Sequence, residues 1–79
     1  VVEDFRKVSI SVDGIVDTEK CYVRKAGMIY NIDLHAIVDA EISVKRGHEL
    51  AHNLKNVLKK EMPQLGEVLI HIEPHELNN

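Results

Sequence analysis

Five histidines among 79 residues are the side chains with the most chemistry to offer. Their spacing sorts them. His71 and Glu73 are two apart, as are Asp33 and His35, and residues i and i+2 of a strand share one face. Neutral imidazole beside carboxylate is a ligand set for first-row divalent metals, Zn²⁺ foremost. Strands hold such ligands at little ordering cost, because their backbone is already fixed. Glu19, on an upstream strand, could add a further carboxylate. His48 and His52 are four apart, a spacing that brings two side chains together on a helix. That pair reads chiefly as solvated surface, while His48, which borders an apolar stripe, offers itself to a site near the sheet or a dimer partner. His75 follows Pro74 near the chain end and reads as surface. Each strand histidine has a plainer reading, as a group hydrogen-bonded to backbone or water. Two histidines and a glutamate converging on one face set metal binding level with it.

Whether these side chains meet depends on the elements beneath them. Val1, Phe5, Val8 and Val12 recur at helical spacing between charged residues, predicting a short amphipathic helix. Asp13-Gly14 makes a turn, Ile15 to Lys25 reads as a strand, and Ala26-Gly27 turns the chain back. From Met28 to Asp39 the alternation is clean: Tyr30, Ile32, Leu34, Ala36 and Val38 on one face, Asn31, Asp33, His35, Ile37 and Asp39 on the other. Ser43 suits a helix N-cap. Val44, Gly47, Ala51, Leu54 and Leu58 then form a stripe, widened by Leu50 and Val57, until Pro63 ends the helix near Met62. Val68 to Glu73 is the last strand, with Val68, Ile70 and Ile72 opposite Leu69, His71 and Glu73.

The first two strands should form an antiparallel hairpin. A helix of about 18 residues then allows a right-handed crossover to a parallel neighbour. The predicted class is α+β: a two-layer α-β-β-α-β sandwich, a three-stranded mixed sheet with both helices on one face. The bare face, which carries His35, His71 and Glu73, invites a partner.

Composition narrows the function. A chain of 79 residues is one domain, and a domain this small buries only about 60% of its unfolded surface, so dimerisation or a metal is an expected helper. Cys21 is the single cysteine, which excludes an intrachain disulfide and fits a reducing compartment. Ten Lys and Arg against thirteen Asp and Glu give a net charge of −3, with no basic excess to hold nucleic acid. No apolar run reaches the roughly 20 residues of a membrane span. The acidic start and the missing initiator Met suggest a piece of a longer protein. No nucleophile elbow, phosphate loop or positioned general base argues for an enzyme.

The runs Gly14-Ile15-Val16-Asp17, Val23-Arg24-Lys25-Ala26-Gly27 and Ile32-Asp33-Leu34-His35-Ala36-Ile37-Val38-Asp39, the helix start Ser43-Val44-Lys45-Arg46-Gly47-His48 and the ending Val68-Leu69-Ile70-His71-Ile72-Glu73-Pro74 come in order over nearly the whole chain. Together they resemble the cytosolic C-terminal domain of the cation diffusion facilitator (cation efflux) family of divalent metal transporters. The resemblance implies a ferredoxin-like or metallochaperone-like fold without the metallochaperone's CxxC. It implies a homodimer binding metal at its interface, on the cytoplasmic side of the cell membrane. It also implies a membrane domain N-terminal to Val1 that exchanges divalent cations, commonly Zn²⁺, for protons. His35, His48, His71 and Glu73 match family ligand positions. Glu19 stands where some members have histidine, and Asp33 matches no ligand position. The expected function is metal sensing and dimerisation for a transporter. The alternative is a metal-independent interaction module using the open sheet face.

Overall fold

A computed structural model of the chain describes residues 2–75. Its elements are α1 (Val2–Ile10), β1 (Ile15–Ala26), β2 (Ile29–Val38), α2 (Val44–Glu61) and β3 (Leu65–Pro74). The sheet runs β1-β2-β3, with β1 antiparallel and β3 parallel to the central β2. This is the order and topology expected from periodicity.

The inward face of β2 is the middle of the core. Ile32, Leu34, Ala36 and Val38 are buried beneath Phe5 of α1 and Leu50, Leu54 and Leu58 of α2, with Ile15, Leu65 and Val68 from the flanking strands. Burying a Leu or Ile side chain stabilises the fold by about 1.5–3 kcal/mol. Val1, part of the α1 stripe by spacing, lies outside the described residues. Val12 falls beyond the end of α1 but still packs on the core. Ser9 sits fully buried in α1, and its hydroxyl donates to the Phe5 carbonyl one turn back at 2.6 Å.

α2 starts where its cap dictates. Ser43 has extended backbone, and its Oγ accepts the Arg46 N–H at 3.0 Å, satisfying an otherwise orphaned donor. At the other end the Met62 N–H donates to the Leu58 carbonyl, and Lys59 and Lys60 complement the negative end of the helix dipole. Gly47, Leu50, Leu54 and Leu58 are buried as the stripe requires. Val44 departs from expectation and is 92% exposed. It is the first helical residue, ahead of the turn that meets the sheet at Gly47.

β3 begins three residues earlier than its alternation indicated. The Tyr30 N–H donates to the Gln64 carbonyl at 2.9 Å, and Tyr30 pairs with Leu65. The register then shifts before Ile32, where the Asn31 carboxamide oxygen accepts the Glu67 N–H at 2.8 Å. The β1–β2 hairpin turns at Gly27, whose φ of 65° suits the first position of a two-residue II′ loop. Gly14, with φ 104°, turns the chain from α1 into β1.

Candidate metal centre

The pleat that buries Leu34 and Ala36 sends Asp33, His35 and Ile37 to the open face, and β3 contributes Leu69, His71 and Glu73. Parallel register sets His35 directly opposite His71. Their rings stack with centroids 4.5 Å apart, 19° from coplanar. Tyr22 of β1 meets the His35 ring edge-on at 6.4 Å. Glu73, opposite Ile37, reaches diagonally back, and its carboxylate meets His35 Nδ1 in a short hydrogen bond. That bond is the main force holding the Glu73 carboxyl below the usual carboxylate range. The neighbouring Glu19 carboxyl is the next cause; burial works the other way, and the charges of His35 and Lys20 add smaller pulls downward.

Glu19 is present because β1 is irregular. Thr18 pairs with Ala36 and Lys20 with His35, so Glu19 is an extra residue in the ladder. Unbroken alternation would put Glu19 on the same side as Cys21, beneath the helices. A bulge re-aims the side chain, and Glu19 joins Asp17, Thr18, Ile37, Glu73 and His75 around an open cavity of about 420 Å³. The Asp17 carboxylate accepts the Thr18 N–H at 2.7 Å and Arg6 Nε at 2.9 Å, which ties α1 to the bulge.

Asp33 lies on the open face on the far side of His35 from Glu73. Tyr22 and Leu69 are its register neighbours, and Arg24 is 3.9 Å away. Its Oδ1 is buried without a hydrogen-bond partner. Cys21 belongs to the opposite face, packed against the core, where burial, and secondarily the Asp33 charge, pushes its thiol pKa up. His75 is exposed, while its N–H donates to the Val38 carbonyl at 2.7 Å and secures the end of β3.

Within one chain, the ring that His48 meets is that of His52 and not that of His35 or His71. His48 stands on α2 beside His52, the two ring centroids 4.6 Å apart, along a groove shared with Ala51, Lys55 and Leu69. His52 is exposed, as its spacing indicated. The run His48-Glu49-Leu50-Ala51-His52 has H-E-x-x-H spacing, in which two helical histidines bind zinc.

The open face thus gathers His35, His71, Glu73 and Glu19, with Asp33 alongside. The polar contact among them is the pair His35–Glu73, and Glu19 lines the same cavity as Glu73. Among the described residues no three His, Cys, Asp or Glu side chains of one chain close into a metal-holding group. The donor types suit borderline divalent cations. His35 Nδ1 and the Glu73 carboxylate face each other across one hydrogen bond, and a cation held by both would displace its proton and move the two groups further apart.

Comparison with known proteins gives the wider setting. Residues 1–75 match the family model described as cation efflux protein, cytoplasmic domain. Manganese efflux system protein MneP of Bacillus subtilis is 25% identical over 75 residues, covering 95% of this chain and 25% of that protein. Metal tolerance protein C1 of Arabidopsis thaliana is 30% identical over 73 residues, covering 92% of this chain and 16% of that protein. The chain spans a quarter or less of these relatives' length. Among solved structures, a nickel form and a cadmium form of MamM CTD variants each align with TM-score 0.91, at 16% and 17% identity, over 95% of this chain and 95% and 93% of theirs. Likeness at that identity is one of fold: the two-layer α+β sandwich expected from periodicity, in the ferredoxin-like form that the resemblance implied.

Proposed function

Since the chain belongs to the cation efflux family, as its cytoplasmic domain, we propose that it is the regulatory domain of a divalent-cation efflux transporter, binding metal where two copies meet. The observation that carries this reading is the His35–Glu73 contact with His71 stacked beside it on an open sheet face. His35, His71 and Glu73 are the ligands proposed, and Glu19 is a neighbouring carboxylate within reach of Glu73. Asp33 is a weaker candidate, from which Arg24 draws charge. A second copy, or solvent, supplies the remaining ligands. Zn²⁺ fits imidazole plus carboxylate best, and other first-row divalent cations fit the same donors.

The mechanism follows from charge. Each chain carries a net −3, and three of the acids within that total, Asp33, Glu19 and Glu73, stand on the open face. Two such faces repel until a divalent cation cancels charge between them. Binding energy then draws the subunits together and, by linkage, favours one state of a membrane domain attached N-terminal to Val1; such couplings are typically about 1–3 kcal/mol. The domain acts here as a sensor and not as an enzyme.

Isothermal titration of Zn²⁺ into the chain tests this reading. The double variant His35→Ala, His71→Ala should keep its fold and lose most of its affinity, and an unchanged constant would overturn the assignment. A second reading, a metal-independent interaction surface, draws on the exposure of Tyr22 (56%) and Leu69 (45%) on the same face. A melting temperature identical in chelator and in Zn²⁺ would favour it, because a ligand that binds only the folded state must raise stability.

A further inference from the structure

We propose that the tip of the β1–β2 hairpin is a membrane-surface contact, seated among anionic lipid headgroups with the Met28 side chain at the acyl boundary. From Lys20 to Ile32 the chain carries Lys20, Arg24 and Lys25 and no acid, within a sequence whose net charge is −3. The tip itself is apolar: Met28 is 90% exposed and Ile29 44%. Gly27 and Met28 form the two-residue loop between the paired Ala26 and Ile29, and the second place in such a loop ordinarily takes Asn, Asp or Ser. Met28 has no share in the core. Its neighbours on β1 are the exposed cations Arg24 and Lys25. Arg24 stands 3.9 Å from the Asp33 carboxylate, which takes part of its charge, and Lys25 has no such partner among the described residues. An apolar tip within a basic collar suits an anionic bilayer, where cations meet phosphates and the apolar side chain enters the boundary beneath them.

The orientation rests on the proposed function, in which a membrane domain precedes Val1. α1 begins at the hairpin's end of the molecule, where Asp4 and Phe5 line one cavity with Tyr30 and Leu65. α2 finishes at the same end, with Lys59 and Lys60 in its last turn. The acids there, Asp4, Glu61 and Glu67, belong to α1, α2 and β3 and not to the hairpin. The opposite end carries Asp13, Asp17, Glu19, Asp39, Glu41 and Glu73, which an anionic surface would repel. A chain entering α1 from a bilayer therefore turns the hairpin tip toward it and the acidic end away.

NMR of the 79-residue chain in chelator tests it, with vesicles of phosphatidylcholine alone or mixed with phosphatidylserine. The Met28 methyl and the Gly27 and Ile29 amides should broaden with the anionic vesicles and stay sharp with the neutral ones. Lys25→Glu should weaken that response at least about fivefold, the worth of one basic residue near such a surface, and Met28→Asp should abolish it. Val44, 92% exposed at the opposite end, is the control and should stay sharp. Three results would each overturn the proposal: no broadening at the tip with either vesicle, which would point to a protein partner instead; broadening undiminished by Met28→Asp; or Val44 broadening as much as Met28. Chelator keeps metal bridging out of the measurement, so failure here leaves the metal-sensing reading standing. Conversely, a chain that binds no Zn²⁺ in calorimetry counts against that reading and not against the tip.

Discussion

His35 and His71 sit directly opposite one another in the parallel β2–β3 ladder, and their rings stack with centroids 4.5 Å apart. Strand register alone brings these two imidazoles together, with no loop needed to carry either one. Glu73, one pleat further along β3, then reaches His35 on the diagonal. Three potential ligands from two strands are thus positioned by the same hydrogen-bond ladder that holds the core.

Glu73→Gln preserves shape and removes charge. Loss of an outer partner of a metal ligand typically costs 10–100-fold in affinity, so loss of a direct carboxylate should cost at least about tenfold, or about 1.4 kcal/mol. Calorimetric titration with Zn²⁺ reads this directly. Equal affinity would remove Glu73 from the ligand set.

The Asp17 carboxyl is held below its ordinary value, first by the Thr18 N–H and then by Arg6. A folded-state value below the unfolded one means that the unfolded chain binds more protons between the two, so stability rises with pH there. The contribution is whole above the ordinary carboxylate range and is lost as pH falls through the lowered value. Arg6→Ala should raise the Asp17 value only part of the way, because the Thr18 bond remains. Carboxyl-carbon NMR titration checks this, and a full return to the ordinary value would make Arg6 the dominant cause.

Leu54 is 0% exposed between the helices and the sheet. Leu54→Ala should cost about 2–5 kcal/mol, a large share of the roughly 4–12 kcal/mol that a domain this size commands. Val44→Ala, at 92% exposure, should change stability by less than about 0.5 kcal/mol. Denaturant unfolding of both variants makes the comparison, and a costly Val44→Ala would mean that this end of α2 is covered.

Two glycines at positive φ should respond differently. A Cβ at Gly14 would stand 2.8 Å from Leu50 Cδ2, while one at Gly27 would meet nothing within 4 Å. Gly27→Ala therefore carries only the left-handed backbone cost, about 1–2 kcal/mol. Gly14→Ala adds a clash with a core leucine and should lower the melting temperature further. Equal melting temperatures would mean that Leu50 moves aside freely.

Alternation from Tyr30 to Val38 was enough to separate the buried Ile32, Leu34, Ala36 and Val38 from Asp33 and His35, because a central strand under helices must obey period 2. The α2 stripe was equally plain at Leu50, Leu54 and Leu58. Other features had no local signal. The bulge at Glu19 interrupts one strand by one residue, and period analysis has no term for it. Val44 has the right helical angle, but an angle does not reveal where a helix runs past its sheet. Leu65-Gly66-Glu67 does not alternate in hydrophobicity, so the early start of β3 rests on Asn31 and Tyr30, distant in sequence. The diagonal from Glu73 to His35 needed the register itself.

In the proposed function a divalent cation on the His35–Glu73 face joins two copies of this chain. Native mass spectrometry of the 79-residue chain, with Zn²⁺ and then with chelator, measures subunit number and bound metal together. The expected result is a metal-bearing dimer that falls to monomer when the metal is stripped. A single subunit mass in both conditions, or a dimer that never carries metal, would contradict it.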